Sequence, residues 1–551
     1  MMRLWIIPLG LIALLAAVIA WSGGKTVPRA DFTFINRGDV GTLDPNRMSW
    51  LQDIRLAYAL WEGLYTLDPA TLQPIPGCAD KIDISPDHKT YTFHLRPNAR
   101  WSDGSAVTAG DFVFAWRRML REPGDYTYLF FYIVGAKQYS DQYQEDPKQA
   151  DFGMVAIHAD DPRTLRVTLA HPVAFFPDLC AFPPFFPLNE ASMRPFERRD
   201  SAGRVSYERG FTREPNLVGN GPYHLLFWDF KRRLRLERSE TYWNAAQVYS
   251  RTIDVLSVDD PMASFQTYES GGADWVADIT GEIAAELRAK GRTDLHIFPG
   301  FGTYFYTINC KPKLPDGQKN PFADARVRRA FSMAVDKTPI VKTITRMGEQ
   351  TASNYIPTGI FADYPSPKGL SFDVAQARQL LAEAGYPDGK GFPHLLLMYN
   401  NEAHHGDVAQ NVQHQWAKNL NVSVGLEGLE IKVFRERLHN KDYAIARASW
   451  IGDYNDPSTF TDKYLSYSEN NDSAWANTDY DRLCKAAAVE VDAAKRLKML
   501  ADAESILLQE APIIPIYYYV NAYLFRDNVH GLPLNPRNMV MLQSIRVERK
   551  N

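Results

Sequence analysis

Three stretches of the chain alternate apolar and polar side chains with the period of a half-buried strand. Residues 91–96 read Tyr-Thr-Phe-His-Leu-Arg. Residues 163–169 place Leu165, Val167 and Leu169 on one face, and residues 232–237 set Leu234 and Leu236 against Arg233, Arg235 and Glu237. Ser85-Pro86-Asp87 ahead of the first stretch is turn chemistry. Asp31 to Ile35 opens a further strand-like segment. Helical spacing is interleaved with these strands. Thr108 and Asp111 stand at capping-box distance before Phe112, Ala115, Trp116 and Met119. Val327, Ala330, Phe331, Ala334 and Val335 form an apolar stripe, and Thr338-Pro339 reads as the N-cap and first-turn proline of the next helix. Ala375 to Ala384 is another helix, closed by Gly385, Pro387 and Gly389. The mixture predicts α/β or α+β domains rather than a barrel or a bundle.

One segment breaks this pattern. After Arg3 an uncharged run extends from Leu4 to Trp21, followed by Ser22, Gly23, Gly24 and Lys25. A short basic start and an apolar core read as an export signal, and the run also approaches the minimum for a membrane-spanning helix. Val18-Ile19-Ala20 offers small residues for cleavage, with the bulky Trp21 directly after them. No cysteine lies nearby, which excludes a bacterial lipoprotein signal. A cleaved signal and a retained inner-membrane anchor over residues 4–21 both stand as readings, with residues 1–30 as the leader segment. Either places Lys25 onward outside the cytoplasm, in a bacterium the periplasm.

Length and charge narrow the function. A chain of 551 residues and 62.6 kDa predicts two to four domains. Lys and Arg number 61 against 65 Asp and Glu, without a basic cluster, which argues against a nucleic-acid partner. Aromatic residues reach 13%, enough for large apolar pockets with polar tips as well as for a filled core. Cys78, Cys180, Cys310 and Cys484 are even in number, which permits disulfides in an oxidising compartment. Buried free thiols are the competing reading. The spacing of the four forms no metal-ligand pair. A GxSxG elbow, an HExxH, a P-loop and a CxxC are all missing, Gly219-Asn220-Gly221 lacks a third glycine, and the adjacent His404 and His405 do not place both rings on one metal. No catalytic residue, metal or cofactor is therefore expected.

Ten segments resemble the extracytoplasmic solute-binding proteins of peptide ABC importers, the family of dipeptide- and oligopeptide-binding proteins. They are Leu43-Asp44-Pro45; Trp61-Glu62-Gly63-Leu64; TYTFHLRPNARWSDGSAVTAGDFVFAWRR from Thr90; GNGPYHL from Gly219; RSETYWN ending at Asn244; YESGGADW from Tyr268; NPFADARVRRAFSMAVDK from Asn320; FDVAQARQLLAEAGYPDGKGFP from Phe372; ARASWIGDYNDPSTF from Ala446; and APIIPIYYYVNAYLF from Ala511. They occur in the family's order and span nearly all of the chain after the leader. The resemblance implies an α/β, two-lobed periplasmic-binding-protein fold (type II, cluster C) with an inserted domain, three domains in all. Domain I would comprise residues 31–75, 206–305 and 516–551, domain II residues 76–205, and domain III residues 306–515. It further implies a monomer that captures peptide, closes by hinge bending and hands its cargo to permease subunits of an ABC importer. The same fold can serve another solute, such as a sugar, opine or metal chelate, or a membrane-anchored peptide sensor.

The resemblance also supplies site residues. A free peptide carries an ammonium, a carboxylate and unpaired backbone groups, all expensive to bury without partners. Asp456 precedes Pro457 and suits a helix cap, which leaves Asp453 free; it matches the family's aspartate for the peptide amino terminus. Arg447 matches the arginine that engages the carboxylate of short peptides, a task that suits a guanidinium fork. His405 lies where such binders carry a histidine for the carboxylate of longer peptides. Arg437 is offset by one residue from a second family arginine and is left out of the site. Ser449, Trp450 and Ile451 match the segment that pairs with peptide as an added strand. Ile451 replaces a cysteine that forms a bridge in some members, so that bridge is absent. Ser49, Trp50 and Leu51 align with the opposing backbone strand of domain I. Tyr128 and one of Tyr517 to Tyr519, taken as Tyr517, match aromatic pocket positions.

Overall fold

The computed structural model describes residues 27–549. The leader run of residues 4–21 lies outside the described residues, among which no helix is long and apolar enough to cross a membrane.

The alternating stretches fold as strands. Phe32–Ile35 is β1, Ala79–Ile84 β2, Thr90–Leu95 β3, Ile157–Asp161 β4 and Thr164–Thr168 β5. Tyr223–Asp229 is β6, Arg233–Arg238 β7, Thr252–Leu256 β8, Trp275–Val276 β9 and Leu295–Ile308 β10. Leu395–Asn400 is β11, Val424–Leu429 β12, Ile445–Ile451 β13 and Ile513–Phe525 β14. β2, β3, β5 and β4 form a separate antiparallel sheet in that order. The other ten make one mixed sheet, ordered β6-β7-β8-β1-β9-β14-β10-β13-β11-β12.

β10 and β14 hold the two halves of this large sheet together. β14 pairs with β9 through Leu524 and Phe525, and β10 pairs with β13 through residues 302–308. Their mutual register breaks between Pro299 and Thr303, where Gly300, Phe301 and Gly302 face Tyr519 alone. A Cβ at Gly302 would stand 2.5 Å from the Trp450 carbonyl oxygen, so the break needs glycine there. The expected divisions near residues 305 and 516 both fall inside these two strands. Separate apolar cores lie on either side, one built on Phe32, Trp61, Trp116 and Trp275, another on Tyr304, Phe331 and Trp416.

Several family-like motifs prove to be buried polar nodes. Asp44 receives both Nη groups of Arg118 at 2.8 and 2.7 Å. Glu62 accepts from the Tyr242 hydroxyl at 2.5 Å and from Trp243 Nε1 at 2.6 Å, which ties the WEGL and ETYWN segments together. Gly219 and Gly221 press on the backbone at Leu60, while Asn220 bonds the Glu62 amide and carbonyl. The Gly-Asn-Gly turn is therefore a packing device. Such groups are buried because each has its partner.

Two local expectations change. The alternation predicts Arg235 on the polar face of its strand; it is buried, gripping Asp254 on the neighbouring β8 at 2.7 and 2.6 Å. Thr338 does not cap its helix. Its own amide donates to Asp336 Oδ1 at 2.9 Å, so the cap lies two residues earlier, and Ile340–Thr345 widens into a π turn. Thr108 and Asp111 do form their box, with Asp111 Oδ2 accepting from the Thr108 amide at 2.8 Å.

All four cysteines are free thiols. Burial raises the thiol pKa of each, to about 11 for Cys310, the one cysteine that is not fully buried. Unreduced protein should release four thiols per chain to a disulfide-exchange reagent in denaturant, and Cys310 should react first in the native state. A count of two or none in denaturant would show bridges that this arrangement lacks.

Candidate functional site

β13 is paired along its whole length on one side only. Every residue from Ile445 to Ile451 is in register with β10, whereas β11 pairs only with Ile445 and Ala446. Residues 447–451 therefore present an open strand edge, the feature that an extended peptide completes. Ile445, Ala446 and Ala448 are buried; Arg447, Ser449 and Trp450 are half-buried, and Ile451 is exposed. Trp450 is fixed by its Nε1 donating to the Thr459 carbonyl at 2.8 Å, with Lys463 Nζ 4.8 Å from its ring.

At the C-terminal end of this edge each residue of the following loop is held by a different partner. Asp453 donates its amide to Thr459 Oγ1 at 2.9 Å, and its Oδ2 accepts from the Tyr128 hydroxyl at 2.5 Å. Tyr454 stacks on Phe175 at 4.0 Å. The Asn455 amide donates to Asp178 Oδ2 at 3.0 Å. Asp456 accepts from the Ser458 amide and takes both Nη groups of Arg496 at 2.7 Å. Asp456 thus has the cap role expected of it. Asp453 alone has no ion-pair partner among the described residues. Burial pushes its carboxyl up to about 6, against the Tyr128 hydrogen bond and the charges of Arg537 and Lys463; Asp125 adds to the rise.

Near the other end of the edge is Arg447. Its Nη2 donates to the Tyr519 hydroxyl at 2.9 Å, its guanidinium lies 5.0 Å from the Tyr304 ring centre, and its buried Nε has no partner. Burial opposes its charge, and Tyr519, Tyr304 and Tyr517 outweigh that effect. No carboxylate pairs with it among the described residues. His405 opens the helix His405–Leu420 with its ring 5.5 Å from that of Tyr304. Burial, Arg447 and His404 push its pKa down to about 3, so the imidazole is neutral. Arg437, by contrast, is bound to Glu427 at 2.7 Å and Asp442 at 3.1 Å.

The facing residues differ from expectation in part. Ser49, Trp50 and Leu51 form no strand. The amides of Asp53 and Ile54 both donate to the Trp50 carbonyl, which turns the chain into the helix Leu51–Leu60. Trp50 keeps extended backbone (φ −99°, ψ 142°) and an exposed ring, 5.3 Å beneath the guanidinium of Arg435. Tyr517 is buried and stacks on Tyr304 at 4.7 Å, while Tyr519 is the tyrosine that reaches Arg447. Tyr304, Phe175 and Asp178 have no counterpart in the sequence reading, and Tyr519 enters it only as one of Tyr517 to Tyr519. The two-residue period placed Tyr519 on the face of Tyr517 and was the available signal for it. Asp178 carries no local signal, since its partner Asn455 is 277 residues away.

The arrangement offers an anion and a cation, each without a counter-charge, with a free strand edge between them. It presents no nucleophile–base pair and, among the described residues, no cluster of metal-binding side chains. A family model described as bacterial extracellular solute-binding proteins, family 5 (middle), matches residues 73–472. The periplasmic oligopeptide-binding protein OppA of Escherichia coli is 33% identical over 530 residues, covering 95% of this chain and 93% of that protein. Among solved structures, the murein tripeptide binding protein MppA of Escherichia coli superposes with a TM-score of 0.79 at 29% identity, covering 95% of this chain and 99% of that one. A complex of Haemophilus influenzae OppA with the peptide RPPGFSPFR gives 0.76 at 27% identity, covering 94% and 99%.

Proposed function

This chain belongs to the bacterial extracellular solute-binding proteins of family 5, and on that premise we propose that it is a peptide receptor that captures short peptides outside the cytoplasm and delivers them to an ABC importer. It acts without catalysis, as a monomer, and residues 4–21 export it or hold it at the inner membrane. One observation carries the peptide reading: Asp453 and Arg447 are opposite charges without counter-charges, set along the open edge of β13. The peptide's ammonium meets Asp453 and its carboxylate meets Arg447. Its backbone bonds residues 449–451, with Ser49, Trp50 and Leu51 on the facing wall and Tyr128 closing over Asp453. Domain II is the unit of residues 76–205, and the lobes swing about the break at residues 300–302.

Calorimetry with free and N-acetylated tri-alanine tests this, together with mass spectrometry of ligand released from denatured protein. Tight binding of the free peptide and weak binding of the acetylated one is the expected result. Equal affinity for both would remove the ammonium assignment, and a retained non-peptide ligand would remove the peptide.

Affinity should also carry an acid limb. The unliganded Asp453 pKa is raised to about 6, so its carboxylate is ionised above that pH and is lost as pH falls through it. Between pH 7 and pH 5 the affinity for tri-alanine should fall by roughly tenfold, since below the pKa each unit costs about 1.4 kcal/mol. A flat profile from pH 7 to 5 would contradict it.

A further inference from the structure

The Asp453 loop rests on a buried ion pair drawn from two distant parts of the chain. Asp178 belongs to the short helix Phe176–Cys180 and Arg537 to the segment after β14. Arg537 Nη1 donates to Asp178 Oδ1 at 2.7 Å and Nη2 to Asp178 Oδ2 at 3.1 Å, and both side chains are 4% exposed. The same Asp178 Oδ2 accepts the Asn455 amide at 3.0 Å, two residues beyond Asp453. Beside it Phe175 stacks on Tyr454. The pair thus reaches the loop after β13 from two segments far from it in sequence, through the Asn455 backbone amide.

We propose that Arg537 and Asp178 are positioning residues for peptide capture: the pair orients the Asp453 loop through the Asn455 amide, and its two opposite charges set the field at the Asp453 carboxylate. This rests on the reading of Asp453 as the ammonium acceptor. Buried ion pairs are weak evidence for stability, because desolvation offsets most of their attraction. A role in orientation gives this one a reason to be there. The charged and titratable groups around Asp453 are Tyr126, Tyr128 and Asp125 on the inserted unit, Tyr355 and Lys463 on its own side, and Arg537. Lys463 is already bound to Asp472 at 3.0 Å, which leaves Arg537 and Asp178 as the adjustable pair.

Charge balance makes the two halves of the pair separable. Arg537→Gln leaves Asp178 as an uncompensated anion beside Asp453, which disfavours its ionised form. Asp178→Asn leaves Arg537 as an uncompensated cation, which favours it. The acid limb of tri-alanine binding should therefore move up in Arg537→Gln and down in Asp178→Asn, each by roughly half a pH unit or more. The double variant loses the attraction of Arg537 together with the repulsion of Asp178, so its midpoint should fall between those of the two single variants while affinity stays reduced. Arg537→Lys keeps the charge and loses the fork, so it should hold the wild-type midpoint at lower affinity.

The experiment is calorimetric titration of the full chain and these four variants with tri-alanine from pH 5 to 8, each first checked for a cooperative thermal transition. Opposed midpoint shifts support the proposal. Midpoints that stay fixed or move in the same direction overturn it, because a merely structural pair would weaken binding at every pH alike. If Arg537→Gln does not fold, the comparison of Asp178→Asn with the double variant decides by the same criterion. A wild-type protein without affinity for tri-alanine, or without an acid limb, would instead overturn the reading of Asp453 itself.

Discussion

Asp453→Asn should weaken the binding of free tri-alanine by about 2–5 kcal/mol, roughly thirtyfold to several-thousandfold. Asparagine keeps the size of the side chain and still accepts the Tyr128 hydroxyl, so what is removed is the charge. The peptide ammonium would then be buried without its counter-ion, and that penalty dominates the loss. N-acetylated tri-alanine lacks the ammonium, so the substitution should leave its already weak binding almost unchanged. The variant's acid limb should vanish as well, because the titrating group is gone. A variant that retained tenfold selectivity for free over acetylated peptide would place the ammonium elsewhere.

Much of the fold was legible because strand and helix periods are local. The alternation at 91–96 and the Thr108–Asp111 spacing appear in the structure with shifts of a residue at most. The misreadings have different causes. Arg235 sits in a strand that alternates by sequence, yet its cross-strand neighbour Asp254 neutralises it and allows burial on both faces. Ser49 to Leu51 align by resemblance with a facing strand, and the Trp50 carbonyl instead starts a helix. A distant partner decided the first, and the chain's own next turn decided the second.

The site divides in the same way. Asp453 stood out by elimination, since Asp456 had the cap to make and Asp453 had nothing; the structure keeps that division of labour. Arg447 could be matched in type and position, but its setting against Tyr304 and Tyr519 comes from β10 and β14, more than 70 residues to either side. Tyr128 pairs with Asp453 across 325 residues. Sequence spacing carries no record of such contacts, and only the folded chain brings them together.

That geometry sharpens what Arg447 should do. It is the charged group of its corner, because His405 beside Tyr304 is held neutral with a pKa near 3. Arg447→Met keeps an unbranched chain against Tyr304 and removes the guanidinium. For a peptide whose carboxylate reaches it, the loss is that of charge-assisted hydrogen bonds, about 1.5–3 kcal/mol or roughly ten- to a hundredfold. With the ammonium fixed at Asp453, each added residue displaces the carboxylate by at most about 3.3–3.6 Å. One guanidinium cannot follow it over several residues. The loss in Arg447→Met should therefore be largest for short alanine peptides and shrink with length, whereas His405→Ala should spare short peptides and weaken longer ones, through a neutral hydrogen bond and by less. Since the imidazole is neutral well below pH 5, the His405→Ala effect should be the same at pH 5 and pH 8. An alanine length series titrated into both variants at those two pH values reads all of this. Equal losses at every length would show that Arg447 and His405 act through packing on Tyr304 and do not read the carboxylate.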